Sequence, residues 1–198
     1  MLDVNKGIEE QVHKLPFIPE WEFPRKKITF VNDLGSGQFG VVWLAEAVGI
    51  SSFHPREVLK ERAGGGRFSF FLYKAKRNRL LNSREVTKVA VKSIKENADR
   101  KSLVDFQSEL KILIHVGENE NIVNILGACT KGKISNLWII MEYCSNGNLR
   151  EFLRSSRNIY DLDEDSLIPD PGQAIGPKTL VHFAWQVTKG MTFLISRK

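Results

Sequence analysis

Three glycines stand close together in the stretch DLGSGQFGVV, at Gly35, Gly37 and Gly40. Glycines at this spacing can bring backbone N–H groups close to phosphate oxygens, because no Cβ stands in the way. The flanking residues alternate as strands do, and the β-branched run after Gly40 does not open a helix as it would in a dinucleotide-binding fold. The Gly-Lys-Ser/Thr ending of a P-loop is absent. The stretch therefore predicts a β-hairpin over a phosphate group; taken alone, a hairpin turn without a ligand is the alternative.

Two charged residues further along the chain could complete a phosphate site. Lys92 ends the alternating stretch KVAVK, where an ammonium group can reach the α- and β-phosphates of a nucleotide. Glu109 lies beside the apolar stripe of a predicted amphipathic helix, so its carboxylate can point towards Lys92. That stripe consists of Leu103, Phe106, Leu110, Leu113 and Ile114. Either charged residue alone could be an ordinary solvated side chain, but the ordered series of glycine loop, strand lysine and helix glutamate is typical of protein kinases.

Two apolar stretches downstream, NIVNILGACT and NLWIIMEYC, predict buried strands. The second runs into the turn residues SNGN, and Asn148 followed by Glu151 predicts a capped short helix. Where that strand ends, backbone groups of Glu142 and Cys144 could hydrogen-bond an adenine edge. Met141 would then lie at the back of the adenine slot.

The last part of the chain combines an acidic loop and a helix. Residues 157–177 are rich in Asp, Pro and Gly and predict a mobile loop, in which Tyr160 is a candidate for phosphorylation. The following stretch, TLVHFAWQVTKGMTFLISRK, predicts an amphipathic helix. We expect His182 and Trp185 to be structural rather than catalytic. The predicted apolar face consists of Leu180, Phe183, Ala184, Val187, Met191 and Leu194.

Composition and charge exclude several classes of protein. The chain of 198 residues is 42% hydrophobic, which suits one ordinary globular domain. Cys129 and Cys144 lack both disulfide density and metal-ligand spacing, and we interpret them as reduced intracellular thiols. The net charge of +6 lies almost entirely within residues 59–83, which hold seven basic residues and one acidic residue. A nucleic-acid-binding function would therefore depend on one loop-like segment, and we do not favour it.

Several stretches, in order, resemble the ATP-binding lobe of a receptor tyrosine kinase, most closely the fibroblast growth factor receptor family. They are WEFPR, GSGQFGVV, AEAVGI, VAVK, NIVNILGACT, MEYCSNGNLREFLR and GMTFL, and the resemblance covers about residues 15–198. It implies that Lys92 pairs with Glu109 as the catalytic pair, that Glu142 and Cys144 form the hinge, and that ATP is the cofactor. The residues that the resemblance places around ATP are Leu34, Gly35, Gly37, Gly40, Val42, Ala90, Lys92, Met141, Glu142 and Cys144.

The resemblance also implies a fold and a division of the chain. The fold class is α+β: a kinase N-lobe with an antiparallel sheet and one regulatory helix, then the hinge and the first helices of an incomplete C-lobe. Residues 1–25 would be a juxtamembrane-like segment, 26–141 the N-lobe, and 142–198 the hinge and partial C-lobe with its acidic loop. The parent would be a single-pass plasma-membrane receptor with this part on the cytoplasmic side, acting on protein tyrosines and dimerising.

Two features depart from the family pattern. Residues 59–86 are a predicted insertion, because PREV at 55–58 is nearly repeated by SREV at 83–86 and deleting the segment restores the expected spacing. A docking insert is the competing explanation. The sequence also contains neither His-Arg-Asp nor Asp-Phe-Gly, so the residues that would accept the substrate proton and bind Mg²⁺ are missing. We therefore expect no metal site and no catalysis by this chain alone.

Two functions remain in competition at the level of sequence. The favoured one is part of a receptor tyrosine kinase whose complete form transfers the γ-phosphate of ATP to protein tyrosine. The other is a naturally short, non-catalytic module that binds a nucleotide or a protein. The family of the favoured function is an ATP-dependent phosphotransferase, but in both cases we expect this chain alone to be inactive. The apolar face of the last helix would lack its lower-lobe partners in a naturally short module, which predicts poor solubility or self-association of the chain alone and argues against the second function.

Overall fold

The computed structural model describes residues 8–16, 18–37, 40–53, 84–95, 98–132, 137–163, 167, 169 and 173–197. The chain divides into two compact units. The first contains residues 1–117 and 124–143, and the second contains residues 118–123 and 144–198. The predicted insertion lies outside the described residues, apart from its last three positions, 84–86.

The first unit is built on an antiparallel sheet of five strands among its described residues. The strands are β1 (Ile28–Gly37), β2 (Gly40–Val48), β3 (Val86–Ser93), β4 (Ile125–Cys129) and β5 (Trp138–Glu142). Their spatial order is β1-β2-β3-β5-β4. The alternating and apolar stretches recognised in the sequence all form strands, and the hairpin predicted for the glycine stretch is present. The α+β fold class is confirmed.

The described part of this unit also contains the long helix α2 (Arg100–Val116), and a one-turn helix, α1 (Ile8–Gln11), precedes the sheet. The side chain of Asp99 caps α2 by accepting a hydrogen bond from the N–H of Ser102 at 2.8 Å. Hydrogen bonds from Ser102 lower the pKa of the Asp99 carboxyl, because they favour its charged form. Phe106, Leu110 and Ile114 are buried, as the helical spacing predicted.

Among the residues that the structure describes, the core of the first unit consists of two apolar clusters. One cluster includes Ala45, Val89 and Ile140 of the central strands together with Phe23 and Phe53. The other includes the buried residues of α2 with neighbours from the sheet and from the segment before it. Its members are Trp21, Ile94, Phe106, Leu110, Ile114, Ile125, Ala128, Leu137 and Ile139.

The second unit contains α3 (Leu149–Ser155) and α4 (Pro177–Ile195). Asn148 caps α3 through a 3.0 Å hydrogen bond from the N–H of Glu151, so the predicted cap is found. The two ends of the acidic stretch are joined by backbone hydrogen bonds, because Ile175 accepts from Asp161 at 3.0 Å and donates to Ile159 at 3.3 Å.

Helix α4 approaches the short stretch 118–123 closely. Gly190 is buried there, and a Cβ at this position would lie 2.8 Å from the carbonyl oxygen of Asn121. Phe183 is half-buried and meets Phe152 edge to face at 6.1 Å. The ring of Trp185 stacks on that of His182, at 5.7 Å between ring centres. Much of the predicted apolar face is exposed in the unit: Leu180, Val187, Met191 and Leu194 have exposed side chains.

Candidate functional site

The glycine hairpin closes between Gly37 and Gly40, which are paired across β1 and β2. Gln38 and Phe39 at its tip lie outside the described residues. The N–H of Gly35 donates to the carboxylate of Asp33 at 2.5 Å, and Gly35 has a φ of 150° that side chains rarely adopt. The first glycine of the motif therefore has a backbone reason to be glycine.

Gly40 and Gly37 differ in the space around them. A Cβ on Gly40 would overlap the carbonyl oxygen of Ser93 on the neighbouring strand β3, whereas a Cβ on Gly37 would meet no described atom within 4 Å. Gly40 thus allows β2 to pack against β3 beside the strand position of Lys92. Sequence reasoning attributed both glycines to phosphate approach and did not find this packing requirement, which depends on a strand about fifty residues away.

The structure brings Lys92 and Glu109 together. The ammonium group of Lys92 donates to both carboxylate oxygens of Glu109, at 2.5 and 2.6 Å. The two side chains are 17% and 35% exposed, so solvent screens the pair only partly. Lys92 is supplied by β3, and Glu109 by α2 on the turn between Phe106 and Leu110. A cation is thereby held in a fixed position beside the glycine hairpin.

Strand register places the predicted adenine-wall residues on one face of the sheet. Val42 is the cross-strand partner of Lys92, and Ala90 is the partner of Met141. Directly opposed residues share a face, and so do residues two apart on a strand, so Val42, Ala90, Lys92 and Met141 lie on the same side. Ala90 is buried, while Val42 and Met141 are half-buried. Leu34 is 42% exposed and lies at an irregularity of the β1–β2 pairing.

The end of β5 is fixed by a contact that the sequence analysis missed. The N–H of Glu142 donates to the carbonyl oxygen of Asn124 at 3.0 Å, and the Glu142 carboxylate accepts from the N–H and Nδ2 of Asn124 at 2.8 and 3.1 Å. The Glu142 N–H is therefore already engaged, and the carbonyl is the backbone group that Glu142 can offer an adenine. The signal that could have revealed this contact is Asn124, a polar residue within the apolar stretch NIVNILGAC that needs a hydrogen-bond partner when buried. Cys144 is exposed and belongs to the second unit.

The described residues contain no group of three or more His, Cys, Asp or Glu side chains that could hold a metal ion. Within the same part of the chain, no helix is both long and apolar enough to span a bilayer. The oriented Lys92 ammonium, the glycine hairpin and the apolar sheet face together suit the binding of an anionic group.

A glycine hairpin, a strand lysine and a helix glutamate paired to it are the parts of a protein kinase nucleotide lobe. The family model described as protein tyrosine and serine/threonine kinase matches residues 28–198. The chain therefore belongs to the protein kinase family. It is similar to fibroblast growth factor receptor 1 of Xenopus laevis, with 36% identity over 194 residues. The match covers 97% of this chain and 20% of the receptor, so the chain spans about a fifth of the length of that relative.

Proposed function

We propose that this chain is the ATP-binding part of a receptor protein tyrosine kinase, whose complete form transfers the γ-phosphate of ATP to protein tyrosine. The observation that carries the proposal is the ion pair between Lys92 and Glu109. Similarity to a fibroblast growth factor receptor supports the receptor class and tyrosine as the substrate.

Each site residue has a distinct part in this proposal. Lys92 binds the α- and β-phosphates, and Glu109 holds its ammonium group in place. The adenine lies against the sheet face and interacts with the hinge. Around the nucleotide, the proposed contacts are Leu34, Gly35, Gly37, Gly40, Val42, Ala90 and Met141, with the carbonyl of Glu142 and the backbone of Cys144 at the adenine edge.

The described residues fit ATP. An oriented ammonium and an apolar face on the same side of the sheet suit a nucleotide. In kinases, Mg²⁺ neutralises charge on the phosphate oxygens, and Asp and Asn side chains bind it. These 198 residues contain no Asp-Phe-Gly, the motif whose Asp binds Mg²⁺ in kinases. We therefore propose that these 198 residues alone do not transfer phosphate.

The proposal includes the organisation of the chain and its setting. Residues 1–25 form a juxtamembrane-like segment, 26–141 an N-lobe with an insertion at 59–86, and 142–198 the hinge and the start of a C-lobe. The parent is a plasma-membrane receptor that dimerises, with this part on the cytoplasmic side. Its partners are ATP and tyrosine-containing proteins, and not nucleic acid.

A titration with a fluorescent ATP analogue tests the proposal. Glu109→Gln removes the charge that holds Lys92, so we expect affinity to fall roughly tenfold, given the strength of hydrogen bonds to charged groups. Glu46→Gln is the matched control, because it removes the same charge from an exposed position on β2 of the same unit. Equal affinities for Glu109→Gln, Glu46→Gln and the unaltered chain would refute the role of the ion pair.

A further inference from the structure

The segment before the first strand is fixed to the sheet. This N-terminal segment, described at residues 8–16 and 18–25, is bound at its end to β4. The N–H of Phe23 donates to the carbonyl oxygen of Ala128 at 2.7 Å, and the Sγ of Cys129 donates to the carbonyl oxygen of Phe23 at 3.3 Å. Both contacts involve the final residues of β4, so residues 22–25 run beside that strand end.

Two charged side chains strengthen the same attachment. The carboxylate of Glu22 accepts from the N–H of Thr130 at 3.1 Å, from its hydroxyl at 2.6 Å and from the N–H of Lys131 at 3.3 Å. The guanidinium of Arg25 donates to the carbonyl oxygen of Lys131 at 3.3 Å and lies 3.9 Å from the ring centre of Trp138. Charge-assisted contacts on both sides of Phe23 hold the segment in one register.

Trp21 connects this attachment to helix α2. Its side chain is 1% exposed and belongs to the cluster that contains Phe106, Leu110 and Ile114 of α2. Helix α1 and the short 3-10 helix at residues 12–14 also lie against α2. Glu109 precedes Leu110 directly, so the packing of this cluster fixes the part of α2 that carries the carboxylate bound to Lys92.

Phe23 provides a contrast within the same segment. It is equally buried, at 1% exposed, but it belongs to the other cluster and meets Phe53 at 5.3 Å. Two large aromatic residues, two positions apart, thus enter different cores. The packing contribution of Trp21 reaches α2, whereas that of Phe23 is made with β-strand residues and Phe53.

We propose that Trp21 is a positioning residue, which fixes α2 so that Glu109 reaches Lys92, and that residues 22–25 hold Trp21 in place. This deepens the proposed function, because it rests on the Lys92–Glu109 pair as the feature that orders the nucleotide site. Release of the N-terminal segment from β4 weakens the ion pair without any change in the residues that form it.

The test measures how readily Lys92 reacts with a neutral acylating reagent, acetic anhydride, by mass spectrometry of the full chain. Lys88, which is exposed on the same strand, is the internal reference. Glu109→Gln gives the rate of Lys92 acylation when the ion pair is broken. We expect this rate to exceed that of the unaltered chain by about fivefold, since partly exposed ion pairs contribute at most about that factor. No nucleotide is added, so the outcome does not depend on ATP binding.

The proposal predicts that Trp21→Ala raises Lys92 labelling towards the Glu109→Gln value, while Phe23→Ala leaves it near that of the unaltered chain. Glu22→Gln, which keeps both cores intact, should raise labelling in the same direction. If Trp21→Ala does not fold, Trp21→Phe is judged by the same criterion. Unchanged Lys92 labelling in a folded Trp21 variant would overturn the proposal, and so would an equal rise in Phe23→Ala. If the labelling follows this pattern but the ATP titration shows no effect of Glu109→Gln, the proposed function is refuted and the positioning role of Trp21 is not.

Discussion

Replacement of Gly40 by alanine tests the packing of the glycine hairpin most sharply. The added Cβ would overlap the backbone carbonyl oxygen of Ser93, and backbone cannot turn aside as a flexible side chain can. Strands β2 and β3 must therefore separate locally. Overpacking of this kind typically costs about 1–3 kcal/mol in the free energy of unfolding. Such a loss is a large fraction of the roughly 5–15 kcal/mol that stabilises a domain.

Gly37→Ala is the matched control from the same hairpin. Its Cβ would meet no described atom within 4 Å, and its φ is not positive. We therefore expect a change within about 0.5 kcal/mol, or slight stabilisation through the unfolded state. Urea unfolding of the full chain, followed by circular dichroism at low micromolar concentration, measures both variants.

The Gly40 substitution should also weaken nucleotide binding. Val41 pairs with Ser93 and Val42 with Lys92, so a local separation of β2 from β3 moves the lysine. Equal unfolding free energies for Gly40→Ala and Gly37→Ala would refute this reasoning. They would mean that the overlap of the added Cβ with the Ser93 carbonyl oxygen has no cost.

Three further predictions concern thiols, the insertion and solubility. Burial raises the pKa of the Cys129 thiol from 9.0 to about 12, so a thiol reagent at pH 8 should modify exposed Cys144 and reach Cys129 only on unfolding; equal modification rates for the two thiols would contradict this difference. The free energy of unfolding should also fall above about pH 9, because the thiol of the unfolded chain ionises there while that of the folded chain stays protonated. Deletion of residues 59–86 puts Glu57 in the position of Glu85, whose carboxylate accepts a hydrogen bond from the Ser51 hydroxyl at 2.6 Å. The free energy of unfolding should therefore change by less than about 1 kcal/mol, and loss of cooperative unfolding would count against an insertion. The exposed apolar face of α4 should cause self-association that increases with concentration in analytical ultracentrifugation, and a stable monomer at high concentration would argue against it.

Local pattern was sufficient to predict most of the fold. The strands around the glycine stretch follow from alternation, and α2 follows from the spacing of Phe106, Leu110 and Ile114. The cap of α3 by Asn148 follows from side-chain chemistry at a fixed offset. Each of these features depends on residues close together in the chain, which explains why sequence alone could predict them.

The contacts that sequence could not predict join distant residues. The overlap that requires Gly40 involves Ser93, and the partner of the Glu142 backbone is Asn124. Trp21 was recognised only as part of a family motif, yet it enters the same cluster as α2. Nothing in the local pattern distinguishes its core from that of Phe23, because the choice depends on how the segment lies along β4.

An ATP derivative with an acyl group on its terminal phosphate tests the central claim most directly. A lysine that lies beside the bound phosphates is acylated and remains tagged after the nucleotide leaves, so mass spectrometry identifies it. We predict that Lys92 is the main tagged residue, that excess ATP prevents the reaction, and that exposed Lys88 on the same strand is tagged at the same low rate with or without ATP. Tagging spread over the surface lysines, with no protection of Lys92 by ATP, would contradict a nucleotide site at the Lys92–Glu109 pair.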